Sequence, residues 1–276
     1  MSDPYVLLNG EFIPASQASL PVGDLALQRG YGIFDFLRTI QGRPLFLDDH
    51  LDRLYRSASF MRLPIAKSRA ELRSLLDALI HRNGLSESGV RITVTGGISD
   101  DGYSITTPNL LVTEKPLMPA PPGIAGIRLM TYPHRRQLPH VKTLDYLMAI
   151  WLQPLLREKG ADDVLYERDG FISECPRSSF FLVTRNNTLV TPGSGILEGV
   201  IRKHVLQLAT ESNSTEVRDV RLDEIAEARE AFVTSTTKHI LPVLAINGRP
   251  IGNAQPGDTT SRLGEMLARR IHTGAH

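Results

Sequence analysis

The chain of 276 residues has a single cysteine, Cys175, almost no net charge and no long hydrophobic run. One cysteine cannot form an intramolecular disulfide or a cysteine-rich metal cage. A net charge of +1 gives no reason to expect a nucleic-acid surface or a polybasic membrane anchor. No apolar run approaches the ~20 residues that span a bilayer, and the first residues do not resemble a secretory signal. We therefore expect a cytoplasmic protein that binds neither nucleic acid nor membrane.

The remaining composition is typical of a folded protein, because 41% of the residues are apolar and 22% are charged. A chain of this length holds one large domain or two modest ones, each with its own core. Four prolines fall within PLMPAPPG, residues 116–123, and proline fixes φ and removes a backbone donor. We predict a stiff linker at 118–123 between a small domain, 1–117, and a larger one, 124–276.

Local patterns in the first domain indicate both strands and helices. YVLLNGEFI is typical of a hairpin, because its Asn-Gly pair tolerates the positive φ angles of a tight turn. Asp48 is expected to cap a helix through LDDHLDRLYRSASF, and leucines at helical spacing predict a second helix at 69–82. Residues 90–95 and 109–113 are rich in β-formers and are predicted strands.

The second domain shows the same mixture. A strand near 127–131 is followed by a predicted helix over 144–158, and three short strands lie in VLYE, FISEC and FFLVT. A helix is expected to begin near Gly199, strands follow in AFVTST and PVLAING, and Asp258 is a candidate cap for a closing helix. Both domains combine helices and strands, which predicts the α+β class.

Lys142 stands out among the lysines, which are only six of the 31 lysine and arginine residues. It lies in LPHVKTLDYLMAIW between Val141 and Leu144, where burying an unpaired ammonium is costly. A desolvated lysine loses basicity and becomes a nucleophile for an aldehyde. The alternative is a lysine whose stem lies along apolar surface with its charge in water. Lys142 is therefore a candidate nucleophile only in combination with other groups.

A carboxylate and three anion-binding elements could complete such a site. Glu174 lies in the β-rich run GFISECPRSSFFLV, where it needs a buried partner unless it points to solvent. Opposite a pyridine nitrogen it would keep that nitrogen protonated, which makes the ring an electron sink. Arg53 offers a planar fork of donors, GSGILEGVIRKHV places glycines before a helix start, and TSTT at 234–237 supplies hydroxyls. Each of the three is weak alone, because ordinary turns and surface arginines share these features.

Neither a metal site nor a nucleotide P-loop is expected. His134 and His140 lie in a proline-flanked loop without a nearby acidic ligand, and His50 and His204 are expected on helix surfaces. No Gly-Lys-Ser/Thr follows the glycines at 193–199, which a P-loop would require.

Six stretches of the sequence, in family order, resemble the class IV (fold type IV) aminotransferases, which include the branched-chain and D-amino-acid aminotransferases. They are QRGYGIFDFLRT, DDHLDRLYRSA, VKTLDYL, DGFISECPRSSFFLV, TPGSGILEGVIR and AFVTSTTKHILPV, and together they extend over most of the chain. The resemblance implies a smaller N-terminal α/β domain, a larger C-terminal cofactor-binding domain with a mixed, barrel-like sheet, and a homodimer with its active site at the interface. It also implies pyridoxal 5′-phosphate as cofactor, with pyridoxamine 5′-phosphate as its alternate form.

The same resemblance implies roles for individual residues. Lys142 matches the lysine that carries the cofactor as a Schiff base and moves the proton. Tyr146 matches the partner of the cofactor's phenolic oxygen, and Glu174 matches the partner of its pyridine nitrogen. The other cofactor-binding positions are Arg53, Ser179, Val200, Ile201, Ser235 and Thr236. Two asparagines and a phosphate-binding threonine of the common pattern are replaced by Asp145, Ser179 and Ile201.

Recognition of the substrate carboxylate separates the members of this family. The common D-amino-acid enzymes use a tyrosine where this chain has Phe34, and an Arg-x-His pair in the loop that is GGISDDGYS in this chain. We expect Arg29 and Arg177 to hold the carboxylate with the hydroxyl of Thr237, which resembles D-amino-acid aminotransferases without the Arg-x-His pair. Structural ion pairs are the alternative for both arginines. The arrangement in the branched-chain enzymes has no convincing match, although Arg91 lies nearby.

The expected reaction is a ping-pong transfer of an amino group between a D-amino acid, such as D-alanine or D-glutamate, and a 2-keto acid. Branched-chain L-amino-acid aminotransferase, (R)-amine transaminase and aminodeoxychorismate lyase activities are alternatives within the family. A cofactor-binding or scaffold protein without turnover is the alternative outside it. The presence of both Lys142 and Glu174 disfavours that last alternative.

Overall fold

The computed structural model describes most of the chain: residues 3–117, 125–210 and 214–273. The chain divides into two compact units, of which unit 1 comprises Met1–Pro119 and Val141–Asp145, and unit 2 comprises Ala120–His140 and Tyr146–His276. The segment with Lys142 therefore belongs to unit 1. The predicted linker, 118–123, lies outside the described residues, and the predicted domain bounds stay a prediction.

Unit 1 is built on an antiparallel sheet whose six strands are β1 (Tyr5–Leu8), β2 (Glu11–Pro14), β3 (Gly32–Ile40), β4 (Arg43–Pro44), β5 (Glu87–Thr95) and β6 (Leu110–Pro116). Their order in the sheet is β2-β1-β6-β5-β3-β4. The helices are α1 (Leu25–Arg29), α2 (Leu47–Phe60) and α3 (Arg69–Asn83), with a 3-10 turn at Ala15–Gln17. Leucines of α2 and α3 join buried residues of β3, β5 and β6 in one apolar cluster, which is the core of this unit.

Unit 2 carries a mixed sheet of eleven strands: β7 (Ile127–Pro133), β8 (Asp163–Arg168), β9 (Phe171–Ile172), β10 (Glu174–Cys175), β11 (Ser178–Val183), β12 (Leu189–Pro192), β13 (Thr215–Arg218), β14 (Val220–Arg221), β15 (Glu230–Ser235), β16 (His239–Ile246) and β17 (Arg249–Pro250). The pairs β7–β8, β7–β16 and β12–β13 are parallel. Strands near the two ends of the sheet, β12 and β14, are in contact, so the sheet is barrel-like. The helices are α4 (Leu147–Trp151), α5 (Gln153–Lys159), α6 (Val200–Ala209) and α7 (Asp258–Thr273), with a 3-10 helix at Leu222–Glu227.

The first predicted elements are confirmed, except for one helix cap. Asn9 and Gly10 adopt φ angles of 53° and 100° in the predicted hairpin. The predicted Asp48 cap is wrong, because Phe46, with a φ of 50°, is the N-cap of α2 and makes no side-chain cap hydrogen bond. Asp48 lies instead in the first turn, where its negative charge interacts favourably with the positive end of the helix dipole.

The helix predicted over 144–158 is wrong at its start and in its middle. Residues 141–144 are bonded to β3, since the Phe34 N–H donates to the Lys142 carbonyl and the Leu144 N–H donates to the Gly32 carbonyl. A segment held as an extended partner of a strand cannot also be helical. The helix therefore begins at Leu147, and it breaks at Leu152 just before Pro154, which has no N–H for the preceding turn.

The last helix also differs from the predicted capping. Asp258 is the first residue of α7, while the buried carboxylate of Glu230 accepts hydrogen bonds from the backbone amides of Thr259 and Thr260. A carboxylate from β15 therefore satisfies the amides that a local cap was expected to satisfy. No helix in the described part of the chain has the length and apolar character needed to cross a membrane.

Candidate active site

Lys142 is placed by its backbone bonds to β3. The hydrogen bond from Phe34 to the Lys142 carbonyl is 2.9 Å long, and Ile33 forms a bridge with Thr143. Val141 and Thr143 on either side are buried, while the lysine is half-buried. Its ammonium nitrogen lies 4.6 Å from the centre of the Phe34 ring. The lysine is thus held against β3 by backbone bonds and partly removed from water, as a lysine nucleophile requires.

The Phe34 ring carries a second cation. The guanidinium carbon of Arg91 lies 3.8 Å from the ring centre, and the Arg91 Nε donates to Thr93 Oγ1 at 3.4 Å. Both cations are attracted by the negative face of the aromatic ring. Phe34 is therefore a platform that brings an arginine and the lysine together in unit 1. The sequence placed Arg91 near the site without assigning it a role.

Arg53 lies on α2 and is held by a carboxylate from β3. Its Nε donates to Asp35 Oδ2 and its Nη2 donates to Asp35 Oδ1, both at 2.8 Å. Burial opposes the ionisation of Asp35, but the attraction of Arg53 and His50 outweighs it and holds the carboxyl pKa well below its usual range. Arg53 itself is buried. The predicted phosphate-binding arginine is thus a fixed, fully charged donor.

Two histidines expected on helix surfaces are buried instead. His50 has no exposed surface, because it faces β3 and its Nδ1 lies 2.7 Å from Asp35 Oδ1. Burial lowers the pKa of His50 below its ordinary value of 6.5, although Asp35 acts in the opposite direction. His204 on α6 is also buried, with Arg270 Nη1 at 3.3 Å from its Nδ1. The prediction failed because both partners lie on other elements, Asp35 on β3 and Arg270 on α7, which the helical pattern does not reveal.

Arg29 ends α1 and is exposed. Its guanidinium lies 5.3 Å from the ring centre of Tyr103, in the loop that lacks the Arg-x-His pair. Asp101 orders that loop, because its carboxylate accepts from the backbone amides of Tyr103 and Ser104. Arg29 is therefore associated with the predicted substrate loop of its own unit.

Glu174 in unit 2 has a buried partner, so the solvent-facing alternative is wrong. Arg136 donates to Glu174 Oε1 from Nε at 2.9 Å and from Nη2 at 2.7 Å. The Leu197 N–H donates to Oε2 at 3.0 Å. Arg136 was not among the predicted site residues, because the sequence marks it only by a pair of arginines in the irregular stretch PHRRQLPH.

The start of α6 forms a narrow cradle beside Ser179. Gly199 is the N-cap and has no side chain, and Val200 and Ile201 are the first two helical residues. A Cβ placed on Gly199 would lie 2.7 Å from the Ser179 hydroxyl, so only glycine leaves this space open. Backbone amides at such a helix start are suitable donors for a phosphate group. The structure therefore places Ser179 beside the helix start, and their role in binding the cofactor stays a prediction.

The hydroxyl run at 234–237 begins next to Ser179. Thr234 pairs with Ser179 across β15 and β11, and no hydrogen-bond partner of its buried hydroxyl is found among the described residues. Ser235 Oγ accepts from the Lys238 amide at 3.1 Å and lies 3.5 Å from Thr237 Oγ1. Thr236 is half-buried and Thr237 is exposed.

The remaining predicted residues also lie in unit 2. Tyr146 is half-buried at the N-cap of α4, and Arg177 is exposed in the turn between β10 and β11. Arg29 and Arg177, predicted to share a carboxylate, therefore belong to different units. Among the described residues, no group of three or more histidine, cysteine or acidic side chains could hold a metal ion.

Comparison with known proteins identifies the family. The family model "Amino-transferase class IV" matches residues 32–246. The D-alanine aminotransferase of Bacillus licheniformis is 30% identical over 273 residues, 96% of each chain, and a putative branched-chain-amino-acid aminotransferase of Methanocaldococcus jannaschii is 32% identical over 274 residues, 95% of this chain and 94% of that one.

The fold of the chain also matches that of a class IV enzyme of known crystal structure. The branched-chain amino acid aminotransferase of Escherichia coli superposes with a TM-score of 0.90 at 22% identity, covering 98% of this chain and 95% of that chain. This match confirms the predicted α+β class with its barrel-like mixed sheet. Together with the family model, it leads to one assignment: the chain belongs to the class IV aminotransferases.

Proposed function

We propose that the chain is a transaminase that moves an amino group between a D-amino acid and a 2-keto acid, with Lys142 as its catalytic residue. The observation that carries the proposal is the placement of Lys142, which is bonded to β3, half-buried and 4.6 Å from the Phe34 ring. In an aminotransferase, a lysine in that setting can bind an aldehyde and move a proton.

The family uses pyridoxal 5′-phosphate, and the residues present fit that group. Two observations support the fit: the space at Gly199 that a Cβ would fill, and the buried Thr234 hydroxyl for which no described partner is found. Once bound, the cofactor supplies an electron sink for the substrate carbanion. The residues that would hold it are Lys142 and Arg53 in unit 1, and Tyr146, Glu174, Ser179, Val200, Ile201, Ser235 and Thr236 in unit 2.

Each group of the chain then has a distinct task. Lys142 acts first as a general base, which removes the proton from the substrate Cα. It then acts as a general acid, which gives that proton back to complete the transfer. Glu174 would supply a negative charge to the ring nitrogen of the cofactor, and Arg136 fixes the direction of that carboxylate. Arg53 and the first amides of α6 bind the phosphate group.

The D-amino-acid specificity rests on the substrate loop and on a relative. The loop at 96–104 contains neither arginine nor histidine, and Arg29 lies against its Tyr103. We assign Arg29, Arg177 and Thr237 to the substrate carboxylate, with Phe34 lining the substrate side. The similarity to the D-alanine aminotransferase of Bacillus licheniformis supports D-alanine, with pyruvate or 2-oxoglutarate as the amino acceptor.

A branched-chain L-amino-acid aminotransferase is the second candidate, because the Methanocaldococcus jannaschii relative is 32% identical. Half-reactions of the loaded enzyme with D-alanine, L-leucine and (R)-1-phenylethylamine separate the candidates by the absorbance change of the bound cofactor. We expect D-alanine to react fastest. If L-leucine reacts and D-alanine does not, the D-specificity is wrong and the branched-chain assignment replaces it. A lyase would instead release pyruvate from aminodeoxychorismate without a 2-keto acid acceptor.

We also propose a homodimer with its active site at the interface. The support is the exposed apolar surface of α4, just after the Lys142 segment, where Leu147, Ile150 and Trp151 are more than half exposed. An apolar group of this kind on a surface helix is typical of an interaction site. Light scattering of the wild-type protein should give twice the chain mass, and Trp151→Glu should lower it. A monomeric, fully active wild type would contradict the proposal. The cytoplasmic location stays a prediction.

A further inference from the structure

Asp35 is a carboxylate with no exposed surface at the centre of a three-residue network in unit 1. Its Oδ2 accepts from Arg53 Nε. Its Oδ1 accepts from Arg53 Nη2 at 2.8 Å, from His50 Nδ1 at 2.7 Å and from the Phe36 backbone N–H at 2.8 Å. His50 and Arg53 are three residues apart on α2 and therefore present the same face to β3. Both carboxylate oxygens of Asp35 thus accept hydrogen bonds from one face of α2.

The network fixes the proton on His50. Because burial keeps this imidazole neutral, its Nδ1 carries the hydrogen that it donates to the charged Asp35. The Nε2 atom is then an acceptor, and no hydrogen-bond partner for it is found among the described residues.

A function for the network follows from what it does to Arg53. A guanidinium on a long side chain has many rotamers to lose when it binds a ligand, and a bidentate carboxylate removes that freedom in advance. A buried ion pair adds little net stability compared with apolar packing, but it fixes geometry. The donors of Arg53 that Asp35 does not use are thereby given a fixed direction.

The same strand also positions the lysine. Phe34 precedes Asp35 on β3, so their side chains point to opposite faces of the sheet. The Phe34 N–H donates to the Lys142 carbonyl, and the Lys142 ammonium lies over the Phe34 ring. Asp35 accepts a hydrogen bond from Arg53. Adjacent residues of one strand therefore set the positions of the amine and of the guanidinium.

We propose that Asp35 and His50 are positioning residues that orient Arg53 toward the phosphate group of the cofactor. Asp35 acts directly on the guanidinium, and His50 acts by holding Asp35. This inference rests on the proposed function, because it takes the cofactor to be pyridoxal 5′-phosphate. It concerns only how the phosphate group is held, and it is independent of the amino acid that the enzyme uses.

The test compares binding of pyridoxal 5′-phosphate with binding of pyridoxal, which lacks the phosphate, to the full chain freed of cofactor. Asp35→Asn and His50→Leu should lower the ratio of the two affinities about tenfold, because each removes a hydrogen bond to a charged group. His50→Asn should stay close to wild type, since its amide can replace the Nδ1 donor. Asp48→Asn, an exposed carboxylate of the same helix, is the matched control and should leave the ratio unchanged.

A double mutant separates positioning from general stability. If Asp35 acts through Arg53, Asp35→Asn should lower the ratio little further once Arg53→Met is present. Equal weakening of both ligands by Asp35→Asn and His50→Leu would overturn the proposal, since a loss of general stability does not depend on the phosphate. If Asp35→Asn fails to fold, the proposal is tested by the affinity ratios of His50→Leu and His50→Asn alone. A wild type that binds neither ligand would instead refute the proposed function.

Discussion

At the scale of single residues, Arg136 explains how Glu174 keeps a charge inside unit 2. The side chains of Arg136 and Glu174 are only 10% and 6% exposed, and two hydrogen bonds of 2.7 and 2.9 Å join them. Without the guanidinium, a carboxylate at that depth would be expensive to ionise. The proposed electrostatic partner of the cofactor therefore depends on an arginine 38 residues earlier in the chain.

Arg136→Met should destabilise the protein by about 3 kcal/mol, because it leaves Glu174 buried without its cation. Arg128→Met is the control, since the pair of Arg128 with Asp162 is 61% and 41% exposed and should contribute less than about 1 kcal/mol. The free energy of unfolding from denaturant titration measures both. Equal losses in the two variants would show that the Glu174 pair is no more important than a surface pair.

The sequence predicted which residues could take part in the chemistry of the site, but it did not predict which residues form hydrogen bonds or ion pairs with them. Lys142 and Glu174 were identified because a lysine and a carboxylate stand in apolar runs, and burial of such groups has to be compensated. Arg136 could not be predicted, because it lies in an irregular loop without periodicity. His50 was misplaced because its burial depends on Asp35 of β3, which no helical pattern reveals.

The buried His50 gives a pH dependence of stability with a definite sign. Its pKa is lowered in the folded protein, so below pH 6.5 the unfolded chain binds more protons than the folded one and stability falls. The groups facing it are Asp35 on β3, Arg53 on its own helix and Lys142 on the adjoining segment. Asp35 remains ionised in this range, because its own pKa is lowered.

The free energy of unfolding should therefore decrease as the pH falls from 6.5, by at most about 1.4 kcal/mol per pH unit from this one group. His50→Asn removes the titrating group and should make that decrease shallower. Denaturant titrations at a series of pH values measure the slope. An identical slope in wild type and variant would mean that His50 keeps its ordinary pKa.

At the scale of elements, the start of α6 depends on a glycine for space. Gly199 has a φ of −69°, which any residue can adopt, so the requirement is steric and not conformational. A Cβ there would meet the Ser179 hydroxyl at 2.7 Å and the Arg202 Cβ at 3.3 Å. The glycines before the apolar stripe predict the helix start, whereas the close approach of Ser179 on β11 leaves no mark in the sequence.

Gly199→Ala should weaken binding of pyridoxal 5′-phosphate about tenfold, because the methyl group displaces Ser179 or the first turn of α6 from the phosphate cradle. Gly264→Ala in α7 is the control, since nothing lies within 4 Å of an added Cβ there. That variant should bind normally and gain up to about 1 kcal/mol of stability from helix propensity. Equilibrium binding and thermal melts of both variants test the expectation; normal binding by Gly199→Ala would exclude the cradle.

The segment 141–145 shows why some elements could not be predicted. Its residues continue the apolar pattern of the following helix, which led to one helix over 144–158. In the structure, the backbone of this segment forms hydrogen bonds with Gly32 and Phe34, which lie more than a hundred residues earlier in the chain. Such long-range pairing leaves no mark in local periodicity, so tertiary contacts overrode the pattern.

At the scale of the whole molecule, the proposed cofactor residues are divided between the two units. Lys142 and Arg53 belong to unit 1, while Glu174 and the start of α6 belong to unit 2. Six separated blocks identified the family from the sequence, and the family model and fold confirm it. The substrate was harder to predict, because relatives that are named for D-alanine and for branched-chain amino acids are equally similar.

The most direct test of the central claim is to find which lysine carries the cofactor. Reduction of the loaded enzyme with borohydride makes the linkage permanent, and peptide mass spectrometry then locates it. We predict the added mass on the peptide that contains Lys142, with no modification after prior release of the cofactor. Lys238, half-buried at 3.2 Å from Asp163, is the internal comparison. Labelling of Lys238 in place of Lys142, or of no lysine at all, would contradict the account.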